Sequence, residues 1–458
     1  MISGREVPPL VEGGKGVAVT NGESSGAWAA TGGVGTFSGV NADAYGRDGD
    51  VVPVVYYGRT RRERHEELVA YAIQGAISQA RVAHEVAGGN GRIHMNVLWE
   101  MGGAERILKS VLTGAKGLID GITCGAGMPY RIAQIAADYG VYYYPIISSA
   151  RAFRALWKRA YHKFPEWLGG VVYEDPWRAG GHNGLSNSED PEVPQDAYPR
   201  VVELRTLMRD LGLERVPIFM AGGVWYLRDW EHWLDDPDLG PIAFQYGTRA
   251  LLTQESPISD EWKQRLVELA DGSVSLNHFS PTGFYSSAVN NTFLKELKMR
   301  SDRQIAFSTD AVGELSERLE IGPRGRKVYV TPSDKARAEQ WMSNGNTEGL
   351  RTPDSTMIFV SPEKRVEIRT DQANCMGCLS ACNFSNWSQL ENGTNTRKAD
   401  PRSYCIQKTL QDIAHGGDVD QHLMFAGHNA FMFRTDPFYS NGFVPTVQQL
   451  IDRLHTGD

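Results

Sequence analysis

The sequence predicts an α/β protein built on a (β/α)8 barrel, and three observations indicate this fold class. Eight short apolar runs occur between residues 16 and 247, and amphipathic stretches separate most of them. Small and polar residues recur just after the runs, at the end where a barrel binds its ligands. A doubly wound open sheet is the alternative, because it also alternates strands with helices.

The predicted strands are continuous apolar runs rich in β-branched or aromatic residues, as is typical of parallel strands buried on both faces. They span residues 16–19, 34–39, 93–98, 118–124, 141–148, 168–174, 216–222 and 242–247. The predicted helices span residues 63–87, 104–114, 130–139, 150–163, 199–211 and 227–234. The segment between the first two runs is short and rich in Gly and Ser, so these two strands are the least well defined.

Beyond the barrel the sequence changes character, and we predict three parts in all. Residues 1–299 form the barrel, residues 300–370 form a small α+β insertion, and residues 371–458 carry a cysteine cluster and a closing helix. The closing helix is predicted at 447–454, where it would pack back on the barrel. The predicted strands of the insertion are 327–330, 357–360 and 365–369.

The charge balance argues against a protein that binds nucleic acid. The formal net charge is −8, which disfavours contact with a phosphate backbone. No apolar run reaches the roughly 18–20 residues of a membrane helix, and the first residues lack the cationic and apolar regions of an export signal. We therefore expect a cytoplasmic protein with a small-molecule substrate, and we leave open a homodimer and an electron-transfer partner.

Glycines follow the last two predicted strands of the barrel. Gly222 and Gly223 come after the seventh run, and Gly247 and Thr248 come after the eighth. Barrels commonly build a phosphate site at this place from backbone N–H groups and a helix N-terminus. We therefore predict that these four residues bind a monophosphate. The alternative is that the glycines only close tight turns.

One histidine lies in a glycine-rich loop after the sixth predicted strand. His182 is flanked by Gly180, Gly181 and Gly184, which argues against a packed core position. The ordinary pKa of histidine suits general acid/base catalysis near neutral pH. The sequence therefore predicts a catalytic role for His182, with a purely structural histidine as the alternative.

Four of the five cysteines are clustered near the C-terminus, and they favour a metal centre over disulfides because no export signal precedes them. Three of them, Cys375, Cys378 and Cys382, lie within eight residues, and Cys405 follows after 22 more. This spacing favours an iron–sulfur cluster. Zinc, which usually takes two Cys-x2-Cys pairs, and free thiols are the alternatives.

These motifs together resemble the nitronate monooxygenase (2-nitropropane dioxygenase) family, which also includes flavin-dependent enoyl reductases. The resemblance is carried by residues 179–184, 216–223 and 245–249, and by the Gly-rich segment 29–35. It implies an FMN-binding (β/α)8 barrel, with His182 beside the flavin ring as catalytic acid or base. The FMN-binding residues that it implies are Asn96, Gly180, Gly181, Ala221, Gly222, Gly223, Gln245, Gly247 and Thr248.

The chain departs from the family at the start and adds a segment at the end. The family carries a Pro-Met pair after its first strand, whereas residues 17–22 read Val-Ala-Val-Thr-Asn-Gly here. Residues 375–382 resemble the [4Fe–4S] segment of 2,4-dienoyl-CoA reductase and trimethylamine dehydrogenase, which are also FMN barrels. In those proteins the fourth cysteine follows sooner than Cys405 does.

The sequence thus predicts an FMN-dependent oxidoreductase that reduces an activated double bond or a nitro compound. A [4Fe–4S] cluster would relay electrons to the flavin, and His182 would exchange a proton with the substrate. NAD(P)H is left open as a transient reductant. The first alternative is a nitronate monooxygenase that oxidises alkyl nitronates with O2. An alternative of another class is a redox sensor or electron-transfer module.

Overall fold

Eight parallel strands close into a barrel in the computed structural model, which describes residues 1–125, 127–387 and 398–457. Each strand pairs with the next, and the eighth pairs with the first. The predicted (β/α)8 barrel is therefore confirmed, and the open sheet is excluded. The strands are β1 Leu10–Glu12, β2 Val34–Ser38, β3 Arg92–Leu98, β4 Gly121–Gly125, β5 Tyr142–Ile147, β6 Val171–Glu174, β7 Ile218–Ala221 and β8 Ile242–Tyr246.

The prediction of the first strand was wrong. Residues 16–19 do not form a strand, and β1 is the earlier segment Leu10–Glu12. The Gly13 N–H donates the last hydrogen bond of this edge to a β8 carbonyl at 2.8 Å. A Cβ atom at Gly14 would lie 2.3 Å from the Asn96 Cβ. There is therefore no room for a side chain at the point where the backbone leaves the barrel. Residues 16–19 then turn over the end of the barrel.

Helices surround the barrel, largely as predicted. The longest, α2, starts at a capping box in which Thr60 and Glu63 satisfy each other's backbone N–H groups, and it ends at Gly88 in the left-handed conformation. The predicted helix at 227–234 is a 3-10 helix, Leu227–Trp233. The α-helices of this part are α1 Gly22–Ala30, α2 Arg61–Ala87, α3 Ala104–Gly114, α4 Ile132–Tyr139, α5 Ala150–Arg159, α6 Ala197–Asp210 and α7 Asp260–Glu268.

The insertion has a hydrophobic core of its own beside the barrel, which includes Leu319, Val328, Met357 and Phe359. Strands Val274–Asn277 and Ser286–Val289 and helix α8 Thr292–Asp302 lead into it. The two strands pair with each other, and Ser286–Val289 also pairs with Gly181–His182. Its elements are strands Gln304–Ala306, Glu317–Ile321, Arg326–Val330, Glu348–Arg351 and Thr356–Val360 and helix α9 Pro332–Ser343.

The predicted strand at 365–369 was wrong, because these residues belong to helix α10, Pro362–Ala373. The Ser361 hydroxyl accepts the Lys364 N–H at 3.2 Å, and a proline at the first helical position favours the same start. Helices α8 and α10 run across the predicted boundaries after residues 299 and 370, so the three-part division stays a prediction. Residues 388–397 of the third part lie outside the described residues.

The last part of the chain returns to the barrel, as predicted for the closing helix. It contains α11 Ile406–Ala414, the 3-10 helix His428–Phe431, α12 Met432–Thr435, the 3-10 helix Pro437–Gly442 and α13 Val447–Thr456. Helix α13 packs on α1. Among the residues that the structure describes, no helix is both long and apolar enough to cross a membrane.

A buried ion pair fastens this returning segment to the barrel. Arg249, which follows β8, lies 3.4 Å from Asp436, and the two side chains are 1% and 0% exposed. The Asp436 carboxylate also accepts the Trp225 Nε1–H at 3.0 Å and lies 3.4 Å from Arg453. Removing the negative charge would leave a buried guanidinium without a counter-charge.

We therefore predict that Asp436→Asn destabilises the protein. Its free energy of unfolding should fall by about 3–5 kcal/mol, because the Arg249 charge stays buried without compensation. Urea denaturation would measure this loss, with the exposed Asp48→Asn as the matched control. A loss below about 1 kcal/mol would contradict the role given to this ion pair.

Candidate functional site

A cavity of about 240 Å³ opens at the carboxyl ends of the barrel strands. This is the end at which barrels of this kind bind their ligands. All of the residues predicted to bind the cofactor or to act in catalysis lie on its wall. They are Asn96, Gly180, Gly181, His182, Ala221, Gly222, Gly223, Gln245, Gly247 and Thr248.

One end of the cavity has the features of an anion site. Gly222 and Gly223 have positive φ angles of 93° and 81°, which favour glycine. Apart from its two chain neighbours, none of the described residues has an atom within 4 Å of the position that a Gly247 Cβ would take, so that backbone faces open space. The N–H groups of Gly223, Gly247 and Thr248 donate to no acceptor among the described residues. Such a set of free N–H groups suits the phosphate of FMN.

A cation that the sequence analysis missed lies beside these N–H groups. A side chain at Gly223 would lie 2.8 Å from the Arg178 Cδ, so the Arg178 side chain covers this glycine. Arg178 is an exposed residue on the cavity wall, and it forms no ion pair within the described part of the chain. An arginine in a loop gives no sequence pattern, so only the fold could reveal this position.

The returning C-terminal segment closes over the same end of the cavity. The Gly427 N–H donates to the Thr248 hydroxyl at 2.8 Å, and the Asn429 side-chain amide donates to the Gly223 carbonyl at 2.7 Å. A side chain at Gly180 would lie 2.6 Å from the Gly427 nitrogen. The glycine loops of the barrel and the segment 426–429 therefore form one wall, which the sequence analysis did not predict.

His182 faces the cavity in a mostly apolar setting. Its Nε2 lies 2.6 Å from the Ser280 hydroxyl, and its ring meets the Phe425 ring edge-on at 5.0 Å. Burial lowers the pKa of His182 to about 4, so the imidazole is neutral at pH 7. A neutral imidazole can accept a proton, but it carries no extra proton to give.

Two further titratable side chains on the cavity wall had no role in the sequence analysis. Glu174 ends β6, and burial, with a smaller effect of Asp175, raises its pKa to about 8. Lys15 follows β1, and burial lowers its pKa to about 8 although the Glu12 carboxylate lies 3.9 Å away. Their position at the end of a strand or shortly after it was the available signal, and their burial was not visible in the sequence.

Part of the cavity wall is apolar. It comes from the turn after β1, from residues that follow β2 and β8, and from the C-terminal part of the chain. This wall suits a flat ring system and the apolar body of a substrate. The residues are Val17, Val19, Val40, Leu251, Leu379, Ile406, Leu410, Ile413, Met424 and Phe425.

The four clustered cysteines come together beside the cavity. Burial raises the pKa of Cys378 well above its ordinary value, and the neighbouring thiols of Cys405, Cys382 and Cys375 raise it further. Cys378 also lies on the cavity wall, and the Gly102 N–H after β3 holds its carbonyl at 2.9 Å. Within the described residues, however, no three His, Cys, Asp or Glu side chains are arranged to hold a metal ion.

Comparison with known proteins identifies the family. The family model for nitronate monooxygenase matches residues 108–455. FabK from Thermotoga maritima is 13% identical with a TM-score of 0.51, and the match covers 98% of this chain and 92% of that chain. The enoyl reductase domain of MlnA from the macrolactin biosynthesis cluster of Bacillus amyloliquefaciens is 12% identical with a TM-score of 0.54, over 98% and 93% of the two chains.

The two structural similarities are too low in sequence identity to show more than a shared fold. Comparison with curated proteins finds no significant match. The family model, in contrast, spans well over half of the chain, and it includes the His182 loop and the glycines after β7 and β8. The chain therefore belongs to the nitronate monooxygenase family and is a flavin-dependent oxidoreductase.

Proposed function

We propose that this protein is an FMN-dependent oxidoreductase that reduces an activated double bond or a nitro compound. The observation that carries the proposal is the single cavity in which free N–H groups, His182 and an apolar wall meet. A bound FMN would supply hydride or electron transfer, while the protein supplies orientation and handles protons. The family of the chain supports this chemistry.

The phosphate of FMN would bind at the N–H groups of Gly223, Gly247 and Thr248, with the Arg178 guanidinium as a counter-charge. The side-chain amides of Asn96 and Gln245 lie on the same wall and could hydrogen-bond the polar edge of the flavin ring. The remaining proposed FMN contacts are backbone contacts from Gly180, Gly181, Ala221 and Gly222.

His182 would be the proton acceptor of the site, because its neutral imidazole lies on the cavity wall. The second candidate function, oxidation of alkyl nitronates with O2, is favoured by the name of the matching family model. In either case the Ser280 hydroxyl, 2.6 Å from Nε2, would fix the orientation of the ring. Assays with an alkyl nitronate under air and with an activated alkene or nitro compound under argon distinguish the two functions.

We also propose that Cys375, Cys378, Cys382 and Cys405 hold a [4Fe–4S] cluster. Three of the thiols are buried and the fourth is partly buried, and all four influence one another electrostatically. A cluster here would pass single electrons to the flavin, since Cys378 lies on the cavity wall. NAD(P)H or an electron-transfer partner would supply these electrons.

Gly247→Ala tests the proposed phosphate site at the glycine end of the cavity. Gly247→Ala should raise the Kd for FMN about tenfold or more, which corresponds to about 1.4 kcal/mol. The added methyl group would occupy space where the phosphate would bind, and apart from the chain neighbours of Gly247 it meets no atom of the described residues within 4 Å. Titration of the apoprotein with FMN, followed by flavin fluorescence, measures the change.

The matched control is Gly46→Ala, where the added methyl group makes only an ordinary contact at 3.7 Å on the surface. This control should bind FMN as the wild type does. Both variants should unfold at the wild-type temperature. Unchanged FMN affinity in Gly247→Ala would place the phosphate elsewhere.

His182→Gln tests the proposed catalytic role of this histidine. For any substrate that loses a proton to His182, His182→Gln should lower kcat by about 10²–10⁴-fold, because a general base contributes that much to proton transfer. FMN should still bind, since the glutamine keeps a polar group near Ser280. Steady-state kinetics with each accepted substrate measures the loss, with the exposed His162→Gln as the control. Unchanged turnover on every substrate would show that His182 has no catalytic role.

A further inference from the structure

The proposed reduction needs a proton donor as well as a source of hydride. His182 is not suited to be the proton donor, because burial keeps its imidazole neutral and its Nε2 already hydrogen-bonds with the Ser280 hydroxyl. Proton donation by a neutral imidazole would leave a buried anion, which is costly in an apolar setting. The cavity should therefore contain another group that carries a proton near pH 7.

Glu174 has the position that such a group requires. It is the last residue of β6, and its backbone pairs with Ala221 of β7. It therefore lies at the start of the connection that carries His182, beside the strand that leads into Gly222 and Gly223. Its side chain is on the cavity wall, where a ligand can reach it.

The Glu174 carboxyl group has no partner among the described residues, with neither a hydrogen bond nor an ion pair to any of them. The next residue behaves differently. Asp175 lies outside the cavity wall, is 0% exposed and accepts the N–H groups of Trp177 and Arg178 at 2.9 Å each. The side chains of successive residues in a strand point to opposite sides. The Asp175 carboxylate therefore hydrogen-bonds the loop backbone, whereas the Glu174 carboxyl group is available to a ligand in the cavity.

The charged groups around the cavity do not neutralise Glu174. Lys15 donates to the Gly13 carbonyl, and Arg249 pairs with Asp436. Only the negative charge of Asp175 acts on Glu174 appreciably, and it adds to the effect of burial to raise the pKa of Glu174 to about 8. The charged and titratable residues on the cavity wall besides Glu174 are Lys15, Arg178, His182, Arg249 and Cys378.

We propose that Glu174 is the proton donor of this cavity during reduction, and that His182 orients the substrate in that reaction. The proposal rests on the proposed reductase function. The acceptor double bond gains a hydride equivalent, which a bound flavin would supply at the expense of a reduced nicotinamide or another two-electron donor. The Glu174 O–H bond breaks as the second new bond to hydrogen forms, and water then reprotonates the carboxylate.

Infrared difference spectroscopy tests the proton on Glu174 directly. In the FMN-loaded wild type, the carbonyl band of a buried protonated carboxylic acid should be present at pH 6 and should disappear as the pH rises through about 8. Glu174→Gln should lack this band. The exposed Glu166→Gln, which makes the same chemical change outside the cavity, should keep it.

Kinetics then tests the use of this proton. The wild-type rate of acceptor reduction should fall as the pH rises through about 8, because only the protonated carboxyl group can donate. Glu174→Gln should lose this pH dependence and react about 10²–10⁴-fold more slowly, while FMN affinity stays near the wild-type value. Glu166→Gln should match the wild type in both respects.

Three results would overturn the proposal. The first is a protonated-acid band that survives in Glu174→Gln, since the proton would then belong to another group. The second is a band that is lost in Glu174→Gln while the reduction rate and its pH dependence stay unchanged. The third is a wild type that binds FMN but reduces no acceptor, in which case the infrared result still describes Glu174 although the proposed function fails.

Discussion

The pairing of β1 with β8 closes the barrel, and the rest of the site depends on this contact. Leu10, Val11 and Glu12 pair with the three last residues of β8 in parallel register. Closure brings all eight carboxyl ends to one rim, so loops that are distant in the sequence share one cavity. It also places Gly13 against the Gln245 side chain, where an added side chain would lie 3.2 Å from Nε2.

The barrel supplies only part of the cavity wall, and the C-terminal part of the chain supplies the rest. The buried Arg249–Asp436 ion pair holds this part down, and residues 426–429 then hydrogen-bond to the glycine loops of the barrel. Helix α11, which begins directly after Cys405, contributes Ile406, Leu410 and Ile413 to the apolar wall. The cysteine segment is therefore part of the cavity and not an appendage.

Burial, more than net charge, sets the chemistry of this cavity. It keeps His182 neutral, it keeps Glu174 protonated near pH 7, and it lowers the pKa of Lys15 although Glu12 is close. These three groups share one low-dielectric space and differ in what they can give or accept. Glu174 and His182 therefore differ in protonation state near pH 7, as in other sites where environments separate the pKa values of two groups.

The sequence predicted seven of the barrel strands, most helices and the place of His182 because these depend on local pattern. The first strand was misplaced because β1 has three residues and ends in Glu12, whereas the apolar residues 17–19 belong to a turn and are buried in the main hydrophobic core. The alternation at 365–369 also fits a helix, and the cap at Ser361 and Pro362 decides between the two. Arg178 and Glu174 acquire their positions only from tertiary packing.

Cofactor content per chain tests the account most directly. Protein purified without oxygen should contain about one FMN, with flavin absorption bands, and about four irons and four sulfides if the cysteines hold a cluster. Flavin without iron would keep the cavity assignment and remove the proposed cluster. Absence of flavin, even after incubation with excess FMN, would contradict the central claim that this cavity is a flavin site.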